Sequence, residues 1–268
     1  MIDLHNHTTR CRHAVGTMEA YVKEAIRRGI THFGFADHSP WTLNSIGERY
    51  AMLEDELPGY VAEVGRLKEN YNRMGSATGR EFHIFLGMEM DYIPSRLNRA
   101  RKAIDAYDWD YLIGSVHNIG FEKLQRAGMY DSWDIDDIYE LYFQQVHTMI
   151  QDRFGDIVGH IDLPKKMGRR PLRGMLFYIE PIIPDLRASK MAVEINTSGL
   201  DNPSMEFMPG WDVVKRLWEE GIPLTLGGDA HAPDQVGRHI EQAIAGLKKI
   251  GVNEIVRFEK RRPIVMPL

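Results

Sequence analysis

A single cysteine, Cys11, stands among 268 residues. It excludes an internal disulfide and any thiolate-rich zinc knuckle, and it gives no sign of an oxidising compartment. No apolar run approaches the roughly 18 residues that a membrane span needs. The opening Met1-Ile2-Asp3-Leu4-His5 has neither the charged start nor the apolar centre of a signal peptide, so a cytoplasmic protein with no membrane partner is expected. A basic excess is missing as well. The 33 Lys and Arg stand against 38 Asp and Glu for a net charge of −5, so no overall field invites nucleic acid or anionic lipid. No GxGxxG follows the first apolar run, which weighs against dinucleotide binding. Internal repeats, low-complexity tracts and Pro/Ser linkers are also lacking, and one domain spanning residues 1–268 is expected. At 43% hydrophobic and 26% charged, such a chain buries a sizeable core. Histidine, by contrast, is plentiful, with eleven residues.

Short apolar runs alternate with longer amphipathic ones. Strands are expected at Ile2–Leu4, His32–Ala36, Phe82–Met88, Tyr111–Val116, Ile157–Val158, Ala192–Ile195 and Leu224–Leu226. Helices are expected at Met18–Arg28, Leu53–Met74, Leu97–Tyr107, Ile135–Phe154, Met175–Arg187, Trp211–Glu219 and His239–Ile250. Thr17, Ser95 and Asp134 stand where N-caps belong, and Gly29, Gly75, Gly221 and Gly251 where helices should stop. Lys165–Gly174 reads as a long loop. Seven strand-then-helix units imply a parallel sheet, and at this length a closed β/α barrel is more economical than a doubly wound sheet.

The histidines fall at the carboxyl ends of those strands. His5 and His7 are two apart after the first, where i and i+2 share one side. His13 follows in the loop. Asp37-His38 ends the second strand, Glu89 the third, His117 the fourth, His160-Ile161-Asp162 the fifth, and Asp229-Ala230-His231 the seventh. In a parallel barrel these ends meet at one face, where barrel active sites lie. His32, His83, His147 and His239 lie instead at strand starts or within helices. Taken singly, each residue reads as well as a surface or core side chain. Together, seven imidazoles and two carboxylates at one rim are costly unless something pairs them. Imidazole nitrogens and carboxylate oxygens suit zinc, manganese or iron, and nine donors are too many for one cation. Two or three divalent metals are expected, with Glu89 as a bridge.

In order and type these residues resemble the motifs of the polymerase-and-histidinol-phosphatase (PHP) superfamily. Glu194-Ile195-Asn196-Thr197-Ser198-Gly199-Leu200 and Gly159-His160-Ile161-Asp162-Leu163 followed by Lys165-Lys166 resemble its histidinol-phosphatase branch. The resemblance implies an α/β fold, a distorted seven-stranded TIM-like barrel with three divalent metals. His5, His7, Glu89 and Asp229 would hold the first, Glu89, His117 and His160 the second, and His13, His38 and His231 the third. It also implies hydrolysis of a small phosphate monoester, histidinol phosphate to histidinol and phosphate, by a metal-activated water attacking in line. Lys165 and Lys166 would then lie near the phosphate. Their alternative is a solvated charge run with Arg169, Arg170 and Arg173. Asp37 and Asp162 are candidates for orienting histidines, and Asp37 also for carrying a proton to the leaving alcohol. Asn118 and Asn196 are candidates for touching substrate.

Two positions depart from the branch. Asp201 stands where it carries an arginine, and Asn118 where it carries an aromatic. Both lie on the substrate side, and Arg12 or Arg173 are the candidates to compensate. The rival readings are a phosphoesterase of the same superfamily acting on another ester or a nucleotide, an amidohydrolase, and a non-catalytic metal-binding domain. An amidohydrolase would place a lysine at a strand end, where this sequence has none. A non-catalytic domain would have lost ligands, and all nine positions are filled.

Overall fold

Parallel pairing joins seven strands in sequence order, and the last returns to the first. In the computed structural model, which describes residues 1–42, 50–78, 81–120, 122–124 and 127–268, these are β1 (Ile2–Asp3), β2 (His32–His38), β3 (His83–Asp91), β4 (Tyr111–Ser115), β5 (Ile157–Val158), β6 (Ala192–Asn196) and β7 (Leu224–Gly227). Across the seam Leu4 N–H donates to the Leu226 carbonyl at 3.0 Å and His7 N–H to the Ala230 carbonyl at 2.9 Å. The sheet is thus a nearly closed α/β barrel. Apart from His83 at the start of β3, its strand residues are buried, as expected where helices cover the outside.

Register brings the strand ends level. His38 stands beside Glu89, Glu89 beside Ile113, and Asn196 beside Gly227. Tyr111 of β4 reaches across to the backbone carbonyls of Leu4 and Phe35. Gly34 and Gly87 leave room for it, since a Cβ at either would meet the tyrosine at 2.1 and 2.3 Å.

The helices follow their caps. Thr17 accepts from Ala20 N–H ahead of α1 (Met18–Arg27), and Asp134 from Asp136 N–H ahead of α5 (Ile135–Gln151). Of the aromatic residues around α5, Tyr139, Tyr142 and Phe143 are buried, whereas Trp133 is exposed. Trp211–Glu219 forms as expected, and His239–Ile250 forms over Ile240–Lys249.

Other boundaries differ for local reasons. Leu53–Met74 begins as a 3₁₀ turn at Glu54–Glu56, continues as α2 (Leu57–Thr78) and passes through Gly75. Ser95 lies inside a 3₁₀ turn, Pro94–Arg96, ahead of α3 (Leu97–Ala106), and caps nothing. A short α4 (Ala127–Ser132) precedes α5. The expected helix Met175–Arg187 is broken into α6 (Met175–Ile179), a 3₁₀ turn and α7 (Ile183–Ser189). Pro181 and Pro184 fall at the break, and neither has an N–H to continue the ladder. The expected loop Lys165–Gly174 starts inside a 3₁₀ turn, Leu163–Met167, closed by Gly168 at φ 77°. After the last helix a hairpin, β8 (Glu254–Glu259) with β9 (Arg262–Pro267), was not expected. Arg261 fastens it by pairing with Asp156 at 3.0 Å and donating from its N–H to the Asp110 carbonyl at 2.8 Å.

Candidate metal centre

The structure brings all nine rim residues together at the carboxyl end of the barrel, around Glu89. One carboxylate oxygen of Glu89, Oε2, lies 2.8 Å from His38 Nδ1, 3.5 Å from His5 Nε2 and 3.6 Å from His7 Nε2. The other, Oε1, lies 2.9 Å from His160 Nε2 and 3.3 Å from His117 Nε2. Asp229 Oδ1 approaches His7 Nε2 at 3.1 Å and His5 Nε2 at 3.9 Å. His13, His38 and His231 gather on the other side of His7. Ring centroids are 4.1 Å apart for His7–His231, 4.6 Å for His13–His231 and 5.4 Å for His13–His38.

Most of these imidazoles are oriented from behind through Nδ1. His5 Nδ1 meets Glu194 Oε1 at 2.6 Å, and His7 Nδ1 lies 3.5 Å from Asp37 Oδ1. His117 Nδ1 pairs with Asp91, His13 Nδ1 with the Cys11 carbonyl at 2.8 Å, and His231 Nδ1 with the Asp229 carbonyl at 3.1 Å. Each such oxygen favours a proton on Nδ1 and leaves the Nε2 lone pair facing inward, the arrangement metal-ligating histidines need. His38 and His160 are exceptions: the Nδ1 of His38 is the nitrogen facing Glu89, and that of His160 has no hydrogen-bond partner. Asp229 sits at φ 50°, an unusual backbone for a non-glycine residue, and Arg238 holds its carbonyl at 2.6 Å.

Two electrostatic halves result. Burial alone would lower the His5 imidazole, yet Glu194, Glu89 and Asp229 outweigh it and hold its pKa well above the ordinary value. His7 is raised in the same way against burial, chiefly by Asp229 and Asp37. His117 is pushed up to about 10, burial again being outweighed, here by Asp91 and Glu89. In the imidazole-rich half burial prevails. It lowers His13 to about 4 with help from His38, and lowers His38 and His231 as well. Glu89 and Asp229 would be raised by burial, but the surrounding imidazoles keep both well below the usual carboxylate range.

The donor set fits divalent metal. Among the described residues, the buried His5 Nε2, His231 Nε2 and Glu89 Oε2 have no hydrogen-bond partner, a cost of about 1–3 kcal/mol each unless a cation meets them. Donor atoms of His5, His7 and Asp229 lie within 4.8 Å of one another, and so do those of His7, His38 and His231. Because His5, His7 and His117 have raised pKa values, metal must displace their protons, so affinity should strengthen as pH rises toward about 10. Calorimetric titration of zinc at pH 7, in buffers of different ionisation enthalpy, should show release of at least one proton. Heats that do not vary with the buffer would contradict this.

The remaining expected site residues are placed as follows. Asp37 is fully buried behind His7. It accepts from the His38 N–H at 2.8 Å and from the Thr8 hydroxyl. Asn196 donates to Asp229 and Glu194, both at 3.3 Å, and so braces the site from behind. Asn118 is buried at the start of a two-residue pairing with Lys123. Lys165 is 2% exposed, with its ammonium 2.7 Å from Asp162 and from the Phe207 carbonyl. Lys166 is half-buried beside it. Asp201 meets Arg238 at 3.3 Å and His239 at 2.7 Å, which explains an acidic residue there. Arg173 lies over the Phe177 ring and 3.7 Å from Glu140.

Asp91 and Glu194 are buried partners of rim histidines that the histidine pattern did not reveal. Both had a signal: Asp91 is two residues beyond Glu89 on one strand, and Glu194 is a lone charge inside the apolar Ala192–Ile195.

Comparison with known proteins agrees with this geometry. A "Probable histidinol-phosphatase" of Deinococcus radiodurans is 31% identical over 267 residues, covering 98% of this chain and 99% of that one. The "Histidinol-phosphatase" of Lactococcus lactis is 24% identical over 96% of this chain and 94% of its own. Among solved structures, histidinol phosphate phosphatase of L. lactis, complexed with zinc, L-histidinol and phosphate, superposes with a TM-score of 0.79. It shares 22% identity and covers 98% of both chains. The PHP domain model matches residues 3–198, a span that runs from β1 past β6 and holds every rim residue except Asp229 and His231. By that match, and by the likeness to the Deinococcus protein along nearly its whole length, this chain belongs to the PHP domain family.

Proposed function

We propose that this protein is a metal-dependent phosphatase that converts histidinol phosphate to histidinol and phosphate, a step of histidine biosynthesis. The observation that carries this reading is the gathering of seven imidazoles and two carboxylates at one end of the barrel, five of the imidazoles facing Glu89. The names of the Deinococcus and Lactococcus relatives support the substrate. His5, His7, Glu89 and Asp229 would hold one cation, Glu89, His117 and His160 a second, and His13, His38 and His231 a third. Zinc, manganese and iron all suit such donors. Two or three such cations lower the pKa of a water and neutralise charge on a transferring phosphoryl group.

The chain's own part is to hold the donors rigid and correctly protonated. Glu194, Asp91 and Asp37 do so from behind, and Arg238 anchors the backbone at Asp229. Of the two arginines expected to compensate for Asp201, Arg12 adjoins His13 at the mouth, whereas Arg173 is held on Phe177. Arg12 is therefore the proposed phosphate-gripping cation, exchanging its present partner Glu56 for the substrate. Arg12→Ala should raise KM about tenfold with a smaller change in kcat, the pattern of lost ground-state binding. An unchanged KM removes Arg12 from the site.

The function is tested by phosphate release from histidinol phosphate beside a panel of sugar, nucleotide and aryl phosphates. Turnover of histidinol phosphate well above the panel, lost on chelation and restored by metal, is expected. Equal low turnover of every ester would mean a general phosphoesterase.

A further inference from the structure

Three donors outside the mouth meet at the opposite end of the barrel. His32 and His83 open β2 and β3 and stand side by side in register, while Glu81, two residues before His83, shares its side of the chain. Glu81 Oε1 lies 3.5 Å from His32 Nε2 and 3.6 Å from His83 Nε2, and the two rings are 5.3 Å apart. Such N···O separations are too long for hydrogen bonds. They lie within a few tenths of an ångström of the edge of a tetrahedron around zinc, about 3.3–3.4 Å for bonds of roughly 2.0–2.1 Å, so a small closing movement would bring the three donors onto one ion.

The protonation of His32 strengthens the case. The Thr31 hydroxyl lies 3.0 Å from the Met1 carbonyl, to which it can donate, and 2.9 Å from His32 Nδ1, from which it can accept. A neutral ring protonated on Nδ1 turns a bare lone pair on Nε2 toward the Glu81 carboxylate. Two acceptors therefore face each other. Phe85, stacked at 6.0 Å, keeps the His32 ring in place, and Arg257 lies over Phe85 with its charge paired to Glu259.

We propose that His32, Glu81 and His83 form a further divalent transition-metal site, selective for zinc-like ions. Water fills the fourth position, because Glu81 and His83 are 65% and 47% exposed. Six residues separate His32 from His38 along β2, about 20 Å at strand rise, so no donor is shared with the mouth. The site clips the entry of β2 to that of β3, and it stands whether or not the mouth is a phosphatase centre.

Equilibrium dialysis of the untagged full chain against buffered zinc, with bound metal counted by elemental analysis, tests it. Wild type is expected to hold one more equivalent than either His83→Ala or Glu81→Gln, with equal phosphate release from all three. Equal metal content in wild type and Glu81→Gln overturns the site, and that comparison decides alone should His83→Ala fail to fold.

Discussion

Glu89→Gln should nearly abolish phosphate release, lowering kcat/KM by about a thousandfold or more, beyond the 10–100-fold typical of losing an outer partner of a metal ligand. Five imidazole nitrogens lie 2.8–3.6 Å from its two oxygens, and among the described residues no other touches so many of the rim histidines. The amide keeps the shape but removes the negative charge, and it turns an NH₂ donor toward nitrogens whose lone pairs should meet cations. Metal content should fall with activity when the variant is dialysed and analysed. Because glutamine nearly matches the volume of glutamate, the fold should persist, as circular dichroism can show. A variant that keeps full metal content and near-normal turnover would remove Glu89 from the centre of the site.

The part of this site legible in the sequence was the part governed by strand geometry. Alternation makes i and i+2 share a face, so His5-Asn6-His7 reported its own direction, and parallel order implied that the strand ends converge, whereas Asp229 lies past β7 at φ 50°, where alternation no longer holds. What stayed hidden depends on partners distant along the chain. Glu194 touches His5 across 189 residues, and nothing near either residue announces the contact. Lys165 reads as part of a basic loop, yet the neighbouring Asp162 and the distant Phe207 carbonyl draw it into the interior. Asp201 looked misplaced for an anion site until Arg238 and His239, from beyond β7, were seen to meet it. The same division holds for the fold. Periodicity located all seven strands, but the proline breaks between α6 and α7 moved helix boundaries, and the hairpin β8–β9 sits on contacts made by Arg261 with residues over a hundred positions earlier.

Glu194→Ala should lower kcat/KM about a hundredfold, although Glu194 is assigned to no cation. Its two oxygens do different work: Oε1 accepts from His5 Nδ1 at 2.6 Å, and Oε2 accepts from the His160 backbone N–H at 2.9 Å. Removing both leaves two buried donors unpaired and frees the His5 ring to change tautomer. The Nε2 lone pair would then no longer be reserved for the site. Because His5 and His160 belong to different proposed cations, one substitution should weaken both, and raised metal concentration should recover part of the activity. Glu194→Gln separates the two roles. Its carbonyl can still accept from His5, but its NH₂ would face the His160 N–H, donor against donor, so a loss of about tenfold is expected. If Glu194→Ala loses activity that no metal concentration restores, while binding zinc as tightly as wild type, Glu194 acts on substrate rather than through the histidines it touches.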